Sequence, residues 1–196
     1  MEENMLAIDE EKITKLKALE LFDTNKITNF EVGTFKGLSD IHRFLFSDIY
    51  SFAGKIRTEN IAKGNFRFAS CLYLEEVLNK IDNMSQNNFD DIIKKYVEMN
   101  IAHPFREGNG RSTRLWLDMI LKKELNMVVD WSKVNKEDYL LAMERSPIKD
   151  TEIKYLLQNA LTDKVNNREV FMKGIDMSYQ YEGYYTYKLE ELDSIN

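Results

Sequence analysis

Twelve consecutive residues carry most of the chemistry this chain offers: His103-Pro104-Phe105-Arg106-Glu107-Gly108-Asn109-Gly110-Arg111-Ser112-Thr113-Arg114. A Gly-Asn-Gly turn just before a helix leaves several backbone N–H groups free and pointing one way. Backed by the positive end of the helix dipole, they form an anion site suited to phosphate. Arg111 and Arg114 are three apart, hence on one helix face, and can reach the same anion. Arginine's planar fork grips phosphate oxygens in pairs, so two arginines beside a nest suggest a di- or triphosphate. Glu107 adjoins that nest, where a carboxylate next to phosphates is the usual holder of Mg²⁺. His103 precedes the cluster, and a neutral imidazole can take the proton that an attacking hydroxyl must lose. Singly, each of these residues has a duller reading: a structural histidine, a chance Gly-x-Gly, two surface charges. It is their combination in this order that argues for a site.

The elements around the loop read as helices. Apolar residues recur at helical spacing in Met1 to Phe22, Gly37 to Phe46, Leu72 to Met84, and from an Asn88 cap to Ile101. This last helix is expected to stop at the residue before Pro104, because proline disfavours helical geometry in its predecessor. Arg111 to Leu125 is apolar almost all round, which predicts a helix at the centre of the molecule. Lys136 to Met143, Ile148 to Leu161 and a last helix from Asn167, drawn as far as the C-terminus, complete the set. Between Ile56 and Ala69, alternating Phe66 and Phe68 and the turn chemistry of Lys63-Gly64-Asn65 predict a short β-hairpin. His42 is read as structural, and Trp116 with the phenylalanines as core or flap.

The 196 residues suffice for one domain with a hydrophobic core, and only two prolines and eight glycines interrupt them. A net charge of −6 argues against direct nucleic-acid binding, since no basic surplus exists to displace counterions. The single cysteine, Cys71, excludes an internal disulfide, and with two histidines it makes a zinc site improbable. A cytoplasmic protein is expected: the start lacks the basic and apolar regions of a signal peptide, and no window reaches the roughly 20 apolar residues of a membrane span.

The stretch 103–114 resembles the signature of the Fic family, His-x-Phe-x-(Asp/Glu)-Gly-Asn-Gly-Arg-x-x-Arg, with every fixed position filled. The resemblance extends through the hairpin and the tail. It implies an all-α fold, a Fic-type helical bundle with a small β-hairpin flap, over residues 1–196 as a single domain. The flap would span about 56–69 and the catalytic loop 103–114. The implied activity is a nucleotidyltransferase, a protein adenylyltransferase (AMPylator) that moves AMP from ATP to a Tyr, Ser or Thr hydroxyl of a target protein and releases pyrophosphate. His103 would be the general base and Phe105 the anchor of the loop. Glu107 would hold Mg²⁺, directly or through water. Gly108, Asn109 and Gly110 would cradle phosphates, and Arg111 and Arg114 would bind the β- and γ-phosphates. Lys63 and Gly64 in the flap would cover the nucleotide and position the target. Removal of AMP, or transfer of another phosphate-containing group at the same site, is the alternative; a helical module that only senses nucleotide would not need His103.

The tail adds a second resemblance. Ser178-Tyr179-Gln180-Tyr181-Glu182-Gly183 is similar to the family's inhibitory pattern, (Ser/Thr)-x-x-x-Glu-(Gly/Asn). Ser178 and Glu182 are four apart and share a helix face. If that face packs on the loop, Glu182 pairs with Arg114 and denies it to the γ-phosphate. The helix about 167–190 would then be an autoinhibitory element, with Ser178, Glu182 and Gly183 its working residues. Tyr179 is the candidate self-modification site. Asn167 and Arg168 are read as a cap or as contacts to adenine or ribose. The target protein is not legible, and the oligomeric state, including a homo-oligomer, stays open.

Overall fold

The computed structural model describes residues 2–64 and 66–194, with side chains from residue 10 onward. Asn65, expected in the hairpin turn, lies outside them. Helix α1 spans Glu2–Asp23, α2 Phe35–Phe46, α3 Leu74–Asp82, α4 Phe89–Ala102 and α5 Asn109–Leu125. Helices α6 (Lys136–Arg145), α7 (Thr151–Asn159), α8 (Arg168–Tyr181) and a short α9 (Leu189–Asp193) follow. Side-chain caps start several of them: Asn88, as the sequence suggested, accepts from Asp91 N at 3.0 Å, and Asn135 accepts from Asp138 N at 3.1 Å.

Helix α5 is the centre. Trp116, Leu117, Ile120 and Leu121 are fully buried, and the helix packs against α2, α4 and α8. Trp116 also donates its indole N–H to Thr34 O, 3.0 Å away, which fixes the start of α2 on the core. Truncating a buried tryptophan of this kind costs on the order of 3–5 kcal/mol. Helix α1 covers α2 and α8 from outside.

The expected short hairpin is present, and the structure departs from expectation at two later points. In the hairpin, β1 (Ala62–Lys63) pairs antiparallel with β2 (Phe66–Arg67), Ala62 opposite Arg67. One stem is drawn to the last turn of α4, with Ala69 N–H donating to Ile101 O at 3.0 Å. A second pair, β3 (Val128–Val129) with β4 (Leu161–Thr162), takes Leu161 out of the helix expected for it, so α7 stops at Asn159. The last helix does not run on. Gly183 adopts φ +93°, and Tyr184 N–H turns back to Tyr179 O at 3.1 Å, ending α8 at Tyr181. Among the described residues, no helix is long and apolar enough to cross a membrane.

Candidate active site

The loop between α4 and α5 is held by contacts from Asn109 and His42. His103 closes α4 in the left-handed region (φ 49°, ψ 62°), an uncommon conformation for a non-glycine residue and a way out of the helix before Pro104. Phe105 is fully buried and stacks on His42, ring centroids 3.8 Å apart. Asn109 grips the backbone of Phe105 twice: its Oδ1 accepts from Phe105 N at 2.9 Å and its Nδ2 donates to Phe105 O at 2.8 Å. His42 supports the loop from behind. Gly54 N–H donates to its Nδ1 at 2.9 Å, so the proton sits on Nε2, which donates to Glu107 O at 2.8 Å. Burial holds this imidazole down to about 4, and hence neutral.

One expectation about this loop is corrected: the helix begins at Asn109, not Arg111, so Asn109 and Gly110 form its first turn. The Asn109 side chain is committed to Phe105. What remains for an anion is backbone: the N–H groups of Asn109, Gly110 and Arg111 meet no acceptor among the described residues. Gly108 makes the entry possible with φ +76°, and a Cβ there would strike the Phe46 ring at 2.6 Å.

Both arginines converge with the tail. Arg111 is 1% exposed. Its Nη1 donates to Glu10 Oε1 at 2.8 Å, and its Nε lies 2.7 Å from Glu182 Oε2 as an ion pair without hydrogen-bond alignment. Glu107 approaches its Nη2 at 3.5 Å. Arg114 donates from Nε to Ser178 Oγ at 2.6 Å, and from Nη2 to Ser178 O and Glu182 Oε1, each at 2.8 Å. Glu182 therefore bridges two guanidinium groups, where the sequence suggested one. Burial opposes its ionisation, but Arg111 and Arg114 prevail and hold its carboxyl below the usual range. A Cβ on Gly110 would lie 2.4 Å from Glu182 Oε1, so the carboxylate sits against the first turn of α5.

His103, Lys63, Gly64, Glu107, Gly110, Arg114 and Glu182 line one cleft of about 970 Å³, closed on the flap side by Phe66 and Phe68. The His103 ring stacks on Phe68, centroids 3.7 Å apart. Its Nδ1 is buried and meets no acceptor within hydrogen-bond geometry, although the Asn100 carbonyl acts on the ring, and Nε2 is the nitrogen left toward the cleft. Burial lowers its pKa to about 4; Arg57 and Lys63 push the same way, against the Asn100 carbonyl and Glu182. The ring is thus a free base throughout the neutral range. Glu107 is exposed on the cleft wall, and its Oε1 accepts from Gly108 N at 2.9 Å. Among the described residues no cluster of three or more His, Cys, Asp or Glu stands ready for a metal. One accessible carboxylate fits Mg²⁺ only in company with nucleotide phosphates, as that ion prefers.

Other candidates fall away. Tyr179 is 1% exposed, wedged between Arg111 and Lys15, so its hydroxyl cannot be modified while α8 is docked. Asn167 is a cap, accepting from Val170 N at 2.9 Å, and Arg168 is held by Asp23 and Asp193, away from the cleft. Glu10 and Arg57 join the site without any local signal in the sequence, and so does the bond from His42 to the Glu107 carbonyl.

Residues 34–121 match the Fic/DOC family. This chain contains a Fic domain. It is 30% identical over 167 residues to the protein adenylyltransferase VbhT of Bartonella schoenbuchensis, which covers 79% of this chain and 34% of VbhT. It is 32% identical over 118 residues to the probable protein adenylyltransferase y4lH of Sinorhizobium fredii, over 54% of this chain and 61% of that protein. The chain therefore spans about a third of VbhT and about three fifths of y4lH. Among solved structures, the N-terminal Fic domain of Bep8 from Bartonella sp. 1-1C superposes with a TM-score of 0.69 at 18% identity, over 84% of this chain and 88% of that one. BepC from Bartonella tribocorum, solved with bound AMPPNP, gives 0.64 at 18% identity, over 81% and 87%. These likenesses establish the Fic fold, helical with a small β-hairpin flap.

Proposed function

We propose that this chain is a protein adenylyltransferase that moves AMP from ATP to a side-chain hydroxyl of a target protein, with residues 1–196 acting as one Fic domain. The observation that carries the reading is the shared cleft. A neutral imidazole with one nitrogen open, the unpartnered first N–H groups of α5, and Arg114 all face it. The names of VbhT and y4lH support the same activity, and the AMPPNP bound to BepC supports ATP as the nucleotide.

In this reading the triphosphate lies on the first turn of α5. Arg111 and Arg114 fix its β- and γ-phosphates, and the flap at Lys63 and Gly64 covers the nucleotide and aligns the target. His103 Nε2 takes the proton from the target hydroxyl as its oxygen attacks the α-phosphorus, and pyrophosphate leaves. Glu107 would hold Mg²⁺ at the phosphates, and the ion would supply positive charge where the leaving group gains negative charge. Positioning and fixed charge supply most of the rate gain.

The tail is then a brake. Glu182 occupies both guanidinium groups, and its charge lies where the terminal phosphate would go. Ser178 ties Arg114 to α8, and Gly183 turns the chain so that Glu182 stays at the helix end. Self-modification of a tail tyrosine would require α8 to leave first.

His103→Ala tests the assignment. Transfer should fall on the order of 10²–10⁴-fold while ATP binding persists, because the base acts on the hydroxyl and not on the phosphates. Transfer at the parental rate would refute the role given to His103.

A further inference from the structure

Arg57 is a buried cation that no carboxylate pairs with among the described residues. It is 2% exposed, and burial presses its pKa down. Its guanidinium donates only to backbone carbonyls: Nε to His103 O at 2.7 Å, Nη1 to Glu59 O at 2.6 Å, and Nη2 to Ala69 O at 2.5 Å and Ala102 O at 3.1 Å. Its own N–H donates to Pro104 O at 2.8 Å.

These carbonyls come from two places. Ala102, His103 and Pro104 form the end of α4 and the start of the catalytic loop. Glu59 and Ala69 are the two stems of the flap. One planar fork thus ties the flap to the backbone of His103 itself. Phe68, against which the His103 ring rests, immediately precedes Ala69. Desolvating a guanidinium without a counter-ion is costly. The carbonyl end of α4, the negative pole of that helix, meets part of the cost.

We propose that Arg57 is a positioning residue for the general base, locking the His103 backbone and its Phe68 backstop into one geometry and joining the flap to the loop. This rests on the reading of His103 as the base. The planar fork reaches four carbonyls at once, which a lysine's single ammonium cannot do. Its charge also acts through space. Together with Lys63 on the flap it disfavours protonation of His103, whereas Glu182 beyond the end of α8 and the Asn100 carbonyl of α4 favour it.

The test compares Arg57→Gln and Arg57→Lys in the full chain. Transfer kinetics are read with Glu182→Gly also present, and the His103 titration midpoint is read by NMR. The chain has two histidines, so His103→Ala assigns the signals. Arg57→Gln should lower kcat on the order of 10²-fold, as misplacement of a reacting group does, with KM for ATP nearly unchanged. Its His103 midpoint should rise. Arg57→Lys should keep the low midpoint and recover only part of kcat. A folded Arg57→Gln chain with parental kcat and midpoint overturns the proposal. If that variant does not fold, Arg57→Lys decides: reduced kcat at an unmoved midpoint supports the proposal, and parental kcat overturns it. If no chain transfers AMP, the proposed function fails, and the midpoints alone decide whether Arg57 acts on His103. A rise in Arg57→Gln supports that link, and no change overturns it.

Discussion

Glu182→Gly should make the protein less stable alone and more responsive to nucleotide. The carboxylate lies 2.7 Å from Arg111 Nε and 2.8 Å from Arg114 Nη2. Stripping a buried charge of its only partner costs about 3–5 kcal/mol. Here Arg111 keeps Glu10 at 2.8 Å, and Arg114 keeps the Ser178 hydroxyl and carbonyl. The loss should therefore be smaller, about 1–3 kcal/mol. For a domain of this size each kcal/mol moves Tm by about 2–4 °C, so Tm should fall by about 2–12 °C. The freed guanidinium groups can then meet a triphosphate. A non-hydrolysable ATP analogue at a hundred times its Kd adds about 2.7 kcal/mol, or about 5–11 °C. At the same concentration the parent, with Glu182 in place, should gain less. Thermal melts of both chains with and without the analogue and Mg²⁺ make the comparison. The double variant Arg114→Ala with Glu182→Gly should lose the extra gain and stay inactive, because the partner to be freed is gone. If Glu182→Gly melts with the parent, and the analogue raises both equally, then Glu182 neither holds the arginines nor competes with phosphate.

Two further outcomes follow from the site. Glu107→Ala, or excess chelator, should stop transfer while leaving the melting curve within about 0.5 kcal/mol of the parent, since the side chain is exposed; full transfer in chelator would remove Glu107 from the chemistry. His42 should cost stability in acid. Its folded pKa of about 4 lies below the ordinary value of 6.5, so between those values the unfolded chain binds the proton first and stability falls as pH drops through the window, by up to about 3 kcal/mol. Urea unfolding at pH 7.5 and 4.5 should show a smaller fall in His42→Gln than in the parent, and equal falls would contradict the neutral, buried ring.

The candidate loop was legible because its residues are contiguous. The proposed base, carboxylate, nest and clamps follow one another, and their order needs no tertiary information. Arg57 and Glu10 were not, because their partners lie far along the chain: Glu10 and Arg111 are 101 residues apart, and Arg57 and His103 are 46 apart. Asn109 shows a subtler limit. Its type and place suit a phosphate nest, but only the fold reveals that Phe105 has taken its side chain. The pairing of Val128–Val129 with Leu161–Thr162 carries no period in two residues and is bridged by two helices. At the tail, the helix drawn as far as the C-terminus stops at Tyr181, where Gly183 takes a positive φ, and only packing shows Tyr179 turned inward onto Arg111.

AMP, and not another group, should pass from ATP to protein. Purified Glu182→Gly chain is incubated with ATP labelled at either the α- or the γ-phosphate, in a cell lysate and alone, and label in protein is read. Protein-bound label is expected from the α-labelled nucleotide only, with pyrophosphate released, and none when His103→Ala is added. Label from the γ-position, or none from either in a folded chain that binds ATP, would contradict AMP transfer.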